Sequence, residues 1–166
     1  YTGSVEVGGS IPPSSTIFPS FSRFVSGNNS RKEIVRVRVL SMALEQIAAI
    51  LYAVNVTIVV FFQFCLIFGA PWGRLTQGGH NEGPLTFAGR VIAALSIPAL
   101  IFMGASITSA AGLIPHWAGW TAYVAIAVQA LRTTLNWITP SQKERRLWEP
   151  ITSVMLFLTA YVVFKL

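Results

Sequence analysis

An all-α membrane protein is the fold class this sequence predicts: a four-transmembrane-helix bundle with an irregular N-terminal tail. Three observations predict it. Of 166 residues, 53% are hydrophobic and only 11% charged, with mean hydropathy +0.60. A soluble domain carries about 25% charged residues, so a chain this short has too little polar surface to face water alone. Long apolar runs alternate with breaks rich in Gly and Pro. Tryptophans fall at the ends of those runs rather than within them, which is where an amphipathic ring sits at headgroup level.

Residues 1–41 form the tail. "VGGSIPPSSTIFPSFS" is rich in Ser, Gly and Pro and reads as extended or flexible. "RKEIVRVRVLS", residues 31–41, alternates basic and apolar residues and suits a short strand or an interfacial segment. The character changes at Met42, from which a four-helix transmembrane domain is expected to run to residue 166. A chain starting at Met42 would already be a compact membrane protein, so the tail reads either as a native extension or as a non-native remnant.

The first span is expected at about 45–68, "EQIAAILYAVNVTIVVFFQFCLIF", stopped by Gly69 with Pro71 beyond. The second covers about 85–110, with a kink expected at Pro98. The third runs over about 117–138, between Pro115 and Pro140. The last apolar run, 150–164, rises about 22 Å at about 1.5 Å per residue, short of a hydrocarbon core of about 30 Å. Ser141 and Glu144 have capping-box spacing, so the fourth span is extended back to 142–164, with Pro150 as a kink. Trp72, Trp137 and Trp148 lie at one set of predicted ends, Trp117 and Trp120 at the other. With Arg145 and Arg146 they are the expected interfacial anchors.

The charge of +6 comes from twelve basic residues set beside apolar runs. That favours topology and lipid attraction over nucleic-acid binding. The loop between the second and third spans carries no fixed charge, whereas 69–84 and 139–149 are basic or flanked by basic residues. With the tail included, the basic residues divide six against six between the two faces; with the tail set aside as an extension, the positive-inside rule puts these two loops in the cytoplasm.

No catalytic, cofactor or metal site is expected. His80 and His116 fall in loops on opposite faces, separated by about 30 Å of hydrocarbon. Cys65 has no partner and reads as a small apolar side chain. In "GGHNEG", His80 and Glu82 are an acid–base couple by type, but no nucleophile completes them; Gly78 and Gly79 suit a turn requiring positive φ. The third span has one organised face, with Ala118, Ala122, Ala125, Gln129, Arg132 and Asn136 at spacings of four and three. Gln129, Arg132 and Asn136, with Asn55 and Gln63 of the first span, form the candidate polar packing or binding face. Thr57, Ser96, Ser106 and Thr108 are further candidate partners across helix contacts.

The turns "FGAPWGRLTQGGHNEGPLTFAGRV" and "LNWITPSQKERRLWEPI" resemble those of a group of small bacterial four-span membrane proteins of uncharacterised function. That group carries a Gly-Ala-Pro-Trp-Gly turn and a Pro-Ser-basic-Glu-Arg turn. Gly69 to Gly73, Gly78, Gly79, Arg90, Asn136, Pro140, Ser141, Glu144, Arg145, Trp148 and Pro150 match, over about residues 45–166. The resemblance implies a bacterial inner-membrane location, a four-helix layout and no transferable catalytic residue. The expected role is non-enzymatic: an accessory or scaffold subunit packing against membrane lipids, other membrane protein subunits or copies of itself. A small transporter or solute-binding protein using the third-span face is the alternative.

Overall fold

The computed structural model describes the backbone of residues 19–80 and 82–165, with side chains from Arg31 onward. Within these limits the chain is helical and contains no strand. The helices are α1 (Pro19–Ile67), α2 (Phe87–Ala110), α3 (Trp120–Ile138) and α4 (Gln142–Phe164), and two short 3-10 turns, Gly73–Leu75 and Gln77–Gly79, lie between α1 and α2. Contacts divide the chain into units 1–40 and 41–166.

Of the first unit, residues 19–40 belong to α1, and side chains 31–40 are exposed. Of the two readings of 31–41, the short strand is replaced by helix, and α1 begins well before residue 45. The reason lies in the backbone. A lone strand leaves its N–H and C=O groups unpaired, whereas a helix satisfies them within one segment. The remainder of the expected tail lies outside the described residues.

In the second unit all four helices contribute to one core. Ala49, Tyr52 and Val56 of α1 meet Leu100, Met103 and Ile107 of α2, Ala122 and Ala125 of α3, and Met155 and Val162 of α4. Gly104 lets α2 approach α1 closely: a Cβ there would stand 3.4 Å from Val56 Cγ1.

Local signals set the helix ends. Gly69, at φ +95°, closes α1. Its N–H donates to Leu66 O (3.1 Å) and that of Ala70 to Cys65 O (2.9 Å), the bond pair that turns a helix off through a left-handed residue. Gly112 does the same for α2, with Gly112 N–H on Ser109 O and Leu113 N–H on Thr108 O. Thr86 caps the start of α2 through Gly89 N–H, and Ser141 caps α4 through Glu144 N–H. Both α2 and α4 continue as single helices through Pro98 and Pro150.

Three helical stretches, Arg31–Ile67, Phe87–Ala110 and Gln142–Phe164, are long and apolar enough to cross a membrane. The chain is thus of integral-membrane type. The expected third span does not meet that standard. Its helix starts at Trp120 rather than Trp117, and Gln129, Arg132 and Asn136 lower its hydropathy.

Candidate functional site

The 69–84 loop is clasped to the start of α4. Gly78 N–H donates to Glu144 Oε2 (2.8 Å), Trp148 Nε1–H to Leu75 O (2.6 Å), and Ser141 Oγ–H to Arg74 O (3.4 Å). Phe62 of α1 stacks on Trp72, with centroids 5.6 Å apart, and meets Trp148 edge-on at 5.1 Å. Gly78 and Gly79 take the expected positive φ, +79° and +70°. A Cβ on Gly79 would lie 2.4 Å from Ser141 Oγ, so this close approach requires glycine.

Two expectations change here. Glu144 has capping-box spacing, yet its carboxylate crosses to the other loop and also accepts from Thr139 Oγ (3.4 Å). The spacing reads as local, and nothing in it points to a partner 66 positions away. Trp148, expected as an interfacial anchor, spends its N–H on Leu75 O rather than leaving it for headgroups.

Beside the clasp, α1, α3, α4 and Thr76 of the loop line a cavity of about 160 Å³ that is open on one side, with Val59, Gln63, Arg132, Leu135, Asn136, Glu144 and Trp148 in its walls. Every lining residue belongs to the 41–166 unit. Three of the five predicted polar-face residues, Gln63, Arg132 and Asn136, meet here. Gln129 lies deeper and is fully buried. It accepts from Tyr52 OH (3.3 Å) and donates to Thr152 O (3.2 Å), joining α1, α3 and α4, while Thr133 Oγ–H donates to Thr152 O (3.1 Å).

Asn55 does not join the face. It donates to Leu51 O of its own helix (2.9 Å). Thr57, Ser96 and Ser106 also bond their own helices, at Ala53 O, Ala93 O and Phe102 O. Thr108 reaches Gly104 O, Ala105 O and Ile114 O. Short hydroxyl side chains readily bond a carbonyl three or four residues back, and that local option takes them away from the interhelical role expected of them.

The remaining anchors scatter. Trp137 Nε1–H donates to Ser153 Oγ (3.2 Å), Trp117 packs on Phe102, and Trp120, Arg145 and Arg146 are exposed. His80 Nδ1 lies 3.1 Å from Gln77 O, Glu82 pairs with Arg74, and His116 is exposed in the α2–α3 loop. Among the described residues no three His, Cys, Asp or Glu side chains gather where a metal could sit. A larger concavity, about 550 Å³, opens on the outer faces of α3 and α4 beside Trp137 and Phe157 and is lined by no ionisable side chain. A bilayer's acyl chains suit that surface.

No known family, curated protein or solved structure matches this chain.

Proposed function

We propose that the chain is a non-enzymatic integral membrane protein crossing the bilayer four times, an accessory or scaffold subunit in the bacterial inner membrane with loops 69–84 and 139–149 in the cytoplasm. The observation that carries this reading is the apolar outer surface of all four helices around a shared core. Ile58 and Phe61, Leu95 and Ile101, Leu131 and Leu135, and Val154 and Phe157 are exposed. In water such a surface would drive association; in lipid it is solvated.

The fourth crossing is supported by the direction of α3's polar residues. Gln129 and Thr133 are buried and Arg132 and Asn136 line the cavity, so the low hydropathy belongs to the inward face. At about 1.5 Å per residue its 19 residues rise about 28 Å, close to the hydrocarbon thickness of about 30 Å.

The test is extraction in mild detergent after an alkaline carbonate wash of the membranes. An accessory subunit stays in the washed membrane and co-purifies with a larger assembly or with copies of itself. A lone monodisperse monomer rejects the scaffold role. The cavity favours a second reading, a solute-binding membrane protein, in which Arg132→Ala abolishes ligand handling in a chain that still folds.

A further inference from the structure

Arg132 and Glu144 line the same cavity, yet among the described residues no carboxylate stands within ion-pair distance of Arg132. Opposite charges that share a cavity attract each other. Here Glu144 is held back by Gly78 N–H and Thr139 Oγ–H, both bonded to Oε2. Its Oε1 receives no hydrogen bond among the described residues, and neither the Arg132 guanidinium nor the amides of Gln63 and Asn136 have one. No fully buried side-chain polar atom among them lacks a partner, so these free groups are accessible rather than sealed in. The cavity thus presents a cation and two amides with unused donors, together with a carboxylate oxygen with unused acceptor capacity.

We propose that this cavity binds a small zwitterion: an oxyanion joined by a short linker to a primary ammonium, as in phosphoethanolamine. This rests on the solute-binding reading of the same cavity and names its ligand class. Arg132 offers paired N–H donors, the geometry that matches two oxygens of a phosphate. Gln63 and Asn136 supply further donors, and Glu144 Oε1 accepts from the ammonium. Trp148, with its N–H already on Leu75 O, presents only its ring, and with Val59 and Leu135 it lines the cavity for an apolar linker. The volume equals about five waters at about 30 Å³ each. A lone simple ion leaves most of it empty and one of the two charges unanswered.

The source of the zwitterion is either free solute or a lipid headgroup, and one experiment separates them. The full chain in phosphatidylcholine nanodiscs is titrated with phosphoethanolamine, inorganic phosphate and ethanolamine by calorimetry. Phosphoethanolamine is expected to bind about tenfold or more tighter than either half, a difference of about 1.4 kcal/mol. Glu144→Gln is expected to weaken phosphoethanolamine about tenfold, again about 1.4 kcal/mol, while phosphate binds no worse, because a repelling charge has gone. Arg132→Gln weakens both phosphoethanolamine and phosphate. If it fails to fold, Arg132→Lys replaces it, and the Glu144→Gln split stands independently.

Repeating the titration in phosphatidylethanolamine nanodiscs assigns the source. Loss of apparent affinity, with that lipid retained by the wild-type chain in native mass spectrometry, identifies the headgroup. Unchanged affinity identifies a free solute. The proposal is overturned if phosphate binds as tightly as phosphoethanolamine, or if the folded chain neither binds phosphoethanolamine nor retains the lipid. A carbonate-resistant chain that binds neither loses only this site, whereas release by carbonate rejects the membrane reading itself.

Discussion

Gln129 shows how one polar side chain stabilises an apolar core. It is fully buried between three helices, and Tyr52, equally buried, donates to its carbonyl oxygen. Gln129→Leu keeps the volume and loses both bonds. Thr152 O still receives Thr133 Oγ–H, whereas the Tyr52 hydroxyl loses the acceptor for its proton and keeps only Thr159 as a hydrogen-bonding neighbour. Taking the acceptor from a buried hydroxyl costs up to about 1–3 kcal/mol, although interhelical bonds within membranes average nearer about 0.6 kcal/mol. Gln129→Leu should therefore destabilise the chain measurably, and adding Tyr52→Phe should recover much of the loss. Unfolding in mixed micelles of the four chains of this cycle checks it; strictly additive effects would show that the bond contributes nothing. The inward position of Gln129 was legible from its spacing with Ala122 and Ala125. Its donor was not, because Tyr52 lies 77 positions away in an otherwise apolar run.

At the scale of elements, the helix ends were legible and the ties between them were not. Gly69 and Ser141 act within four or five residues of themselves, so spacing reveals them; Thr86 and Gly112 act over the same range but were not read as helix ends. The clasp between the 69–84 loop and α4 joins residues 66 to 73 positions apart, and only the packed fold brings them together. The N-terminal extent of α1 was also hidden, since the basic–apolar alternation of 31–41 has the period of a strand. The clasp gives a prediction of its own. Trp148→Phe keeps a ring against Phe62 but removes the N–H on Leu75 O. A net loss of about 1 kcal/mol is expected, equivalent to about fivefold in a local opening equilibrium. Backbone amides of Gly73 to Gly79 should exchange hydrogen about fivefold faster, while those of α2 stay unchanged. Equal acceleration in α2 would mean that the change loosens the whole bundle rather than this tie.

The clasp also constrains the whole molecule. It holds the 69–84 and 139–149 turns at one end of the 41–166 unit. If α2 crosses the bilayer away from that end, α3 has to cross back to return the chain to it. The proposed fourth crossing thus rests on hydrogen bonds rather than on hydropathy, by which only three helices among the described residues qualify. It predicts a labelling pattern. In a Cys65→Ala background, single cysteines at His80→Cys, Lys143→Cys and Ile114→Cys all replace exposed side chains. A membrane-impermeant maleimide should reach the first two from one face of sealed vesicles and Ile114→Cys only from the other. The basic residues near the clasped turns, Arg74, Lys143, Arg145 and Arg146, set the sign: in intact cells Ile114→Cys should react and the other two should stay protected. Reaction of His80→Cys and Lys143→Cys from opposite faces would remove the fourth crossing. Reaction of those two alone in intact cells would keep the four crossings and invert their orientation.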